Sequence, residues 1–350
     1  MMDACRPDIS VCIPAYNRAD RLPELLDSIL AQSPENTEVV ICEDHSPERE
    51  RIREVVTRYR ETASVPIHYH ENRKNLGYDG NLRHLIEKSN GRYCFFMGND
   101  DLVAPGALAT VTDLVNRHPD VGVILRSYAS FADTPSQPTE YFRYFDTERF
   151  FPAGVDTVCV FFRRCVVISG LVLHRDTAHA RATDRFDGTL LYQLYLVANL
   201  LTIMNGVASP EILALYRTGG IPDFGNSDSE RHGFVPGQQT PESSLHFIHG
   251  MLGIARAVEK DLNMPIYRGI LRDMGNYSYP LLSIQAGLPL RRFIGYTVSL
   301  ARMGFWKSGL FYAYAALLML IGKRRVDRLI RTVKHRLGHT PSLGAVLRKS

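Results

Sequence analysis

Two adjacent carboxylates, Asp100 and Asp101, follow an apolar run at residues 93–97 that predicts a β-strand. Two like charges side by side are costly unless a cation or hydrogen-bond donors neutralise them. Carboxylate oxygens suit Mg²⁺ or Mn²⁺, and such an ion can hold a diphosphate and stabilise it as a leaving group. The pair therefore predicts a metal-assisted diphosphate site. The alternative is a plain turn in which an aspartate caps the helix that begins at Pro105.

Polar segments also follow three other predicted strands. They are PAYNR at 14–18, EDHS at 43–46 and NRKNLG at 72–77, and each comes directly after a short apolar run. The carboxyl ends of parallel strands meet at one edge of a sheet, where ligands bind. These side chains are therefore expected to lie near the two carboxylates and to bind a nucleotide.

The segments that must position these residues alternate between the hydrophobic pattern of strands and that of helices. Short apolar runs predict strands, and between them apolar residues recur at i, i+3, i+4, i+7 and i+8, as on one face of a helix. The alternation predicts an α/β fold with a doubly wound, mostly parallel sheet. The predicted strands are at 10–13, 39–42, 67–70, 93–97 and 121–125.

The second half of the chain is predicted to be less regular and then helical. Residues 166–173 predict a further strand, and 203–208 and 212–216 predict two short ones. The stretch at 219–239 is rich in Gly, Pro, Asp and Ser, which is typical of a mobile loop. After about Glu242 the pattern predicts helices alone.

Over about residues 9–126 these segments together resemble glycosyltransferase family 2, which has the GT-A fold. That family has a Pro-x-Tyr-Asn-Arg first loop, an Asp-containing second loop, an Asn-x-Gly third loop, an Arg/Asn helix and an Asp-x-Asp motif, and the order and spacing match here. The resemblance implies inverting transfer of a sugar from a nucleotide-diphosphate donor to a hydroxyl. It also implies a GT-A catalytic domain over 1–220, a mobile connection over 221–241 and a helical region over 242–350.

The resemblance assigns roles to individual residues. In the family the last Asp of the Asp-x-Asp motif binds the metal, Mn²⁺ or Mg²⁺, which implies Asp101 as the metal ligand. Asn99 stands at the first position of the motif, where its amide can hydrogen-bond ribose but supplies no charge. Asp44 matches the residue that hydrogen-bonds the base or ribose. The other nucleotide-sugar residues implied are Pro14, Ala15, Tyr16, Arg18, Lys74, Asn75, Gly77, Asn81, Arg83 and Asp100.

The general base is expected later in the chain. An inverting displacement needs a carboxylate to deprotonate the acceptor hydroxyl, and in the family it lies in an acidic motif that opens a helix. The usual Glu-Asp pair is absent here. We assign the base to Asp187, which precedes a predicted helix at 189–201, with Asp184 as the alternative. Three further candidates remain open: His174, Asp176 and His179.

The segment YRTGG at 216–220 resembles the family's Tyr-Arg segment after the last catalytic strand, which implies that Arg217 reaches a donor phosphate. The loop at 224–232 is expected to close over the donor, with His232 as a further candidate metal ligand. This half looks most like the abequosyltransferase-type branch, which is similar to enzymes that build O-antigen or capsule repeat units. That resemblance implies a polyprenyl-linked saccharide as acceptor.

The end of the chain is strongly basic. From Arg291 to Ser350 there are 13 Lys/Arg and one acid, Asp327, whereas the preceding 290 residues carry 28 basic and 36 acidic residues. Residues 310–321 are uniformly apolar but span only about 18 Å as a helix, against a hydrocarbon core of about 30 Å. We expect a basic tail at about 291–337 that lies on an anionic membrane surface and does not bind nucleic acid. The alternative is a core helix with a solvated basic end.

The expected location follows from the remaining composition. The six cysteines form no CxxC pair or zinc-like cluster, and polar and charged residues follow Met1 where a signal segment would be apolar. We therefore expect a reduced, cytoplasmic protein that is attached peripherally to the inner face of the cell membrane.

Two rival functions belong to other classes. A nucleotidyltransferase on a similar sheet normally opens with a Gly-rich, Lys/Arg-bearing phosphate loop, which the segment at 14–17 lacks. A non-catalytic membrane scaffold that kept the fold is favoured by Asn99 and by the missing Glu-Asp pair. The retained Asp44, Asp101 and Arg217 disfavour it.

Overall fold

The structure is a computed structural model that describes residues 6–220 and 222–337. Ile221 of the expected connection and residues 338–350 of the expected helical region lie outside the described residues.

The described chain forms one ten-stranded sheet in the order β3-β2-β1-β4-β9-β6-β10-β5, with β7 added beside β6 and β8 beside β10. The longer strands pair in parallel, namely β1 with β2 and β4, β2 with β3, and β6 with β10, while the short strands pair antiparallel. The strands are β1 Ile9–Ala15, β2 Thr37–Glu43, β3 Ile67–Glu71, β4 Tyr93–Phe96, β5 Leu102–Val103, β6 Val121–Phe131, β7 Glu140–Phe142, β8 Arg149–Phe151, β9 Val172–His174 and β10 Asn205–Arg217.

Helices cover both faces of the sheet. Successive residues of β1 alternate between two apolar cores: Val11 packs with residues of α1, α2 and α4, and Cys12 packs with residues of α3, α5 and α7. The expected doubly wound α/β architecture is therefore confirmed. The helices are α1 Leu22–Leu30, α2 Arg49–Thr62, α3 Gly77–Lys88, α4 Ala107–Arg117, α5 Val155–Phe161, α6 Arg175–Ala180, α7 Tyr192–Ile203, α8 Pro241–Leu262, α9 Tyr267–Asn276, α10 Tyr279–Ser283, α11 Leu290–Arg302, α12 Gly309–Ile321 and α13 Lys323–Leu337.

Two predictions for the middle of the chain were wrong in detail. The predicted strand at 166–173 is a strand only from Val172, because the residues before it form bends and turns. The two short strands predicted at 203–208 and 212–216 are one strand, β10. It carries a register shift between Ala208 and Ile212, where Pro210 has no N–H to donate to a neighbouring strand.

The helices after residue 240 share a core with the sheet. One continuous cluster of buried apolar side chains runs from α3, α5 and α7 into α8, α9, α11 and α12. A buried ion pair crosses the same boundary, because Asp273 on α9 accepts hydrogen bonds from Arg163 (2.7 Å) and Arg164 (3.2 Å) in the turn after α5. The helical region is thus packed firmly against the sheet.

We expect Asp273→Asn to lower the free energy of unfolding by about 3–5 kcal/mol, because it leaves two guanidinium groups without their buried counter-charge. The exposed pair between Asp261 and Arg185 is the matched control, so Asp261→Asn should cost less than about 1 kcal/mol. Urea denaturation of the two variants measures both values. Equal destabilisation by the two changes would contradict a role for burial.

Candidate active site

A cleft of about 370 Å³ opens where β1, β2 and β4 end. The structure brings together most of the residues that the sequence predicted for a nucleotide site. The predicted residues that line it are Pro14, Tyr16, Arg18, Asp44, Asn75, Gly77, Asn81, Asn99, Asp100, Asp101 and Arg217.

Asp44 lies at one end of the cleft, directly after β2. Its carboxylate is buried and accepts hydrogen bonds from Asn72 Nδ2 (2.7 Å) and from the backbone N–H of Leu76 (2.8 Å). Asn72 Nδ2 also donates to Asn81 Oδ1 at 3.1 Å, so the β2 and β3 ends and α3 are joined. Burial raises the pKa of Asp44 to about 6, and these donors counteract only part of that rise.

Asp101 lies at the centre of the cleft edge and is almost fully buried. Its Oδ2 accepts a hydrogen bond from Ser169 Oγ, and its Oδ1 accepts one from the backbone N–H of Arg217 at 2.8 Å. Burial, together with the neighbouring charge of Asp100, raises the pKa of Asp101 to about 7. Burial and the charge of Asp100 thus outweigh the two hydrogen bonds that the Asp101 carboxylate accepts.

Asp100 faces the cleft more openly than Asp101, with 18 % of its side chain exposed. It forms an ion pair with Arg18 at 2.7 Å, and Arg18 also reaches Asp223 at 3.2 Å. Arg18 has φ +60°, a backbone conformation that costs a non-glycine residue energy and is common at functional sites.

Arg217 lines the cleft as predicted, but its guanidinium contacts protein groups. It donates to the backbone carbonyl of Asp100 (3.0 Å) and to Glu24 (2.7 Å), and it lies over the ring of Phe131. Arg217 therefore fixes the turn that carries the two carboxylates, and its positive charge lies beside them.

The wall beside Asp101 is held by a buried arginine that sequence reasoning missed. Arg126 on β6 donates to the backbone carbonyls of Arg164 (2.7 Å), Val167 (2.6 Å) and Ser169 (3.2 Å). Ser169 Oγ in turn accepts from the backbone N–H of Gly98 (3.0 Å) and donates to Asp101. The irregular segment at 164–169 is thus fixed by carbonyl contacts that leave no signal in the sequence pattern.

The predicted connection after β10 lies across the cleft. Glu230 is buried and accepts from the backbone N–H groups of Tyr78 (2.7 Å) and Gly225 (2.9 Å). A Cβ on Gly77 would lie 2.6 Å from Ser227 Oγ, and a Cβ on Gly188 would lie 2.1 Å from the carbonyl oxygen of Ser229. The loop can pack this closely only because both positions are glycine.

Several expected site residues lie elsewhere. Asp187 forms a bidentate ion pair with Arg83 (2.7 and 2.8 Å), and neither residue lines the cleft. In this arrangement each neutralises the other and orders the turn before α7, whereas we expected both to face the substrates. The other expected residues outside the cleft lining are Ala15, Lys74, Asp184, His174, Asp176, His179 and His232.

A metal ion would have few protein ligands here. Among the described residues, no group of three or more His, Cys, Asp or Glu side chains is arranged to hold one. Mg²⁺ and Mn²⁺ are commonly bound by one or two carboxylates together with substrate phosphates and water. The pair Asp100 and Asp101 fits that donor set.

The apolar part of the cleft was also missed. Val166, Val167 and Ile168 were predicted as strand, yet they line the cleft together with Leu190 and Phe247. Leu190 has φ +63°, and its backbone N–H donates to buried Asp79 at 2.9 Å. A sequence pattern cannot separate an apolar cleft wall from an apolar strand, because both are rich in branched residues.

Comparisons with known proteins find similar glycosyltransferases. Residues 10–166 match the family model of Glycosyl transferase family 2. The chain is 35 % identical over 113 residues to the abequosyltransferase RfbV of Salmonella typhimurium, covering 32 % of this chain and 34 % of that protein. It is 28 % identical over 116 residues to an uncharacterized glycosyltransferase of Haemophilus influenzae, covering 33 % and 37 %. The matched segment therefore spans only about a third of either relative.

Solved structures show the fold. The TarS 1–349 fragment of S. aureus, in complex with UDP-GlcNAc, matches with a TM-score of 0.60 at 15 % identity, covering 95 % of this chain and 92 % of that one. The mannosyltransferase PcManGT of Pyrobaculum calidifontis, in complex with GDP-Man and Mn²⁺, matches with a TM-score of 0.50 at 13 % identity, covering 91 % and 88 %. The expected GT-A fold is thereby confirmed.

We expect Asp101→Asn to gain stability relative to the unmodified protein as pH rises from about 4 to about 7 in metal-free buffer. The carboxyl keeps its proton up to about pH 7 when folded but loses it near pH 4 when unfolded. Its stabilising contribution is therefore present at low pH and is lost as pH rises, by up to about 1.4 kcal/mol per pH unit, whereas Asn cannot ionise. Denaturant titrations with EDTA at several pH values measure the difference. Asp20→Asn, at an exposed site, is the control. If the free energy of unfolding of Asp101→Asn changed with pH in parallel with that of the unmodified protein, the expectation would be wrong.

Proposed function

We propose that the protein transfers a sugar from a nucleotide-diphosphate donor to a hydroxyl acceptor with inversion, since residues 10–166 match the family model of Glycosyl transferase family 2. The observation that carries this proposal is the order of groups along one cleft edge. Buried Asp44 lies after β2, the segment with Tyr16 and Arg18 lies after β1, and Asp100 and Asp101 lie after β4.

That order gives the donor a direction. The nucleoside lies at the Asp44 end, against Pro14 and Tyr16, and the diphosphate lies beside Asp100 and Asp101. The neighbouring strand, β9, is preceded by the apolar wall that contains Ile168, so the sugar lies toward that wall. The UDP-GlcNAc and GDP-Man complexes of the two similar structures support a nucleotide-sugar donor.

The proposal includes a divalent cation, Mn²⁺ or Mg²⁺, held by Asp101 with Asp100 beside it. A bound cation would neutralise charge on the departing diphosphate. The protein's own part is to keep both carboxylates in place, through Ser169, the backbone N–H of Arg217 and Arg18. The Mn²⁺ in the mannosyltransferase complex supports this choice.

We assign the general base to the loop after β10. The carboxylates that line the cleft include Asp44 and Glu230, which accept backbone N–H groups, and Asp223, whose partners are the side chains of Arg18 and Asn17. Asp223 is 32 % exposed, so an acceptor hydroxyl can reach it. Asp187 could serve only after breaking its bidentate pair with Arg83. Asp223 is therefore the better-placed proton acceptor.

The acceptor completes the proposal. We propose a polyprenyl-linked saccharide of the kind that O-antigen or capsule synthesis extends, used at the inner face of the cell membrane. The likeness to the abequosyltransferase supports this acceptor class, and the basic end of the chain supports the location. Among the described helices, none is long and apolar enough to cross a bilayer.

We expect Asp101→Asn and Asp100→Asn each to lower turnover by about two orders of magnitude, because the diphosphate loses a metal ligand worth several kcal/mol. Thermal shifts of the unmodified protein with UDP-, GDP-, dTDP- and CDP-sugars identify the donor. The same measurements on the two variants, with and without Mn²⁺, show whether they lose the part of the shift that depends on the metal. Near-normal turnover of Asp101→Asn with Mn²⁺ would refute the metal assignment. Released nucleoside diphosphate marks glycosyl transfer. In a parallel assay that supplies a nucleoside triphosphate and a sugar 1-phosphate, released pyrophosphate marks the rival nucleotidyltransferase. No product in either assay marks a scaffold.

We expect Asp223→Asn to lower kcat by orders of magnitude with little change in donor affinity, since a base acts in the transition state. Asp187→Asn should instead lower thermal stability and leave kcat within about tenfold, because it removes the partner of Arg83. Both variants are measured by donor titration and steady-state kinetics. The reverse pattern would restore Asp187 as the base.

A further inference from the structure

Helix α12 exposes a continuous apolar face. Its 13 residues carry no charge, and three of them, Phe311, Ala315 and Leu318, pack inward. On the outward side Tyr312 is 52 % exposed and Leu320 is 82 % exposed. The other outward apolar residues of α12 include Leu317, Met319 and Ile321. Contiguous exposed apolar surface of this kind marks a contact with a partner or a membrane.

Helix α11 and the turn that follows continue the pattern. Leu290, Ile294 and Val298 are exposed at i, i+4 and i+8, so they form one outward stripe, while Phe293 and Tyr296 pack inward. The turn between α11 and α12 exposes Trp306, and indole rings favour the region between lipid headgroups and acyl chains. We call the outward residues of α11, Trp306 and the outward residues of α12 the apolar platform.

Cations flank the α12 part of the apolar platform at both ends. Lys307 precedes α12, and Lys323, Arg324, Arg325 and Arg328 follow it, all exposed. The one acid of this region, Asp327, points inward, where Tyr279 and Ser283 donate to its carboxylate. The surface presented outward is therefore apolar with a positive border, which is complementary to anionic lipid headgroups.

The dimensions favour an orientation in the plane of a membrane. Thirteen residues span about 20 Å as a helix, less than the roughly 30 Å of a hydrocarbon core. Helix α12 also contacts α9 and α10 along its inward side, so the helix is held on the body of the protein with its outward apolar face exposed. A helix held in this way can enter the interface on one side only.

We propose that the apolar platform docks into the surface of an anionic bilayer. The proposal rests on the proposed function only in that a lipid-linked acceptor gives the docking a purpose. A second copy of the chain fits the charges less well, because a symmetric contact would bring the same cations face to face. Anionic lipid neutralises them.

The test uses point variants of the full chain. Removing everything from Arg291 onward would strip Phe293, Leu300 and Phe311 from the core, so loss of binding by such a truncation would be ambiguous. Leu320→Glu changes a side chain that makes little contact with the body. Ile203→Glu is the control, since Ile203 is also an exposed apolar residue (57 %) and lies at the end of α7.

Co-sedimentation is measured with phosphatidylcholine vesicles and with mixed phosphatidylcholine–phosphatidylglycerol vesicles. We expect the unmodified protein and Ile203→Glu to bind the mixed vesicles, and Leu320→Glu to bind at least about tenfold more weakly. Changing Lys323, Arg324 and Arg325 together to Gln should weaken binding to the mixed vesicles and leave the weak binding to phosphatidylcholine unchanged.

Equal vesicle binding by Leu320→Glu and Ile203→Glu would overturn the proposal. So would a dimer in size-exclusion chromatography that Leu320→Glu dissociates and that does not bind vesicles. The donor thermal shift is measured on each variant without vesicles. A retained shift with lost vesicle binding supports docking, whereas an absent shift in the unmodified protein refutes the donor assignment and leaves the vesicle result standing.

Discussion

The rest of the site depends on the hydrogen bonds that the buried carboxylate of Asp101 accepts. Through Ser169 and the backbone N–H of Arg217 it joins three chain segments that are far apart in sequence: the end of β4, the irregular segment before β9 and the end of β10. A buried charge is tolerated only when donors or a cation compensate it. The geometry of the cleft edge is therefore tied to one electrostatic requirement, and the parts of the fold that seem remote from it, such as Arg126 on β6, serve to keep its donors in place.

The sequence allowed the first half of the fold and the nucleotide end of the cleft to be predicted, because strand and helix periods are local and Asp44 and Asp101 follow clear strands. It did not reveal the wall at Val166–Ile168, whose branched residues are as typical of a strand as of a cleft lining. The pairing of Asp187 with Arg83 was equally invisible, since 104 residues separate them. Contacts between distant segments depend on the folded backbone, and no local pattern encodes them.

The helical region has two kinds of surface, and their contrast explains its composition. Toward the sheet it offers apolar side chains and Asp273, which compensates Arg163 and Arg164. Away from the sheet, the part from Arg291 onward offers apolar side chains again, together with many cations and a single acid, Asp327. A helix that is apolar all round is typical of burial on both sides. In α12 only one side is buried by the described chain, so the sequence alone could not distinguish a core helix from a surface one.

Gly77 and Gly188 meet the loop so closely that a single methyl group at either position would overlap it. Both glycines also have positive φ, so any side chain there meets strain as well as overlap. The loop and the two glycines therefore pack so tightly that almost no added side-chain volume can be accommodated between them. A larger residue at Gly77 or Gly188 would push the loop with Ser227 and Ser229 away from the cleft. The ends of β1, β2 and β4, which form the opposite side of the cleft, would stay in place. A substitution at these glycines can thus change access to the cleft without changing the arrangement of the strand ends that line it.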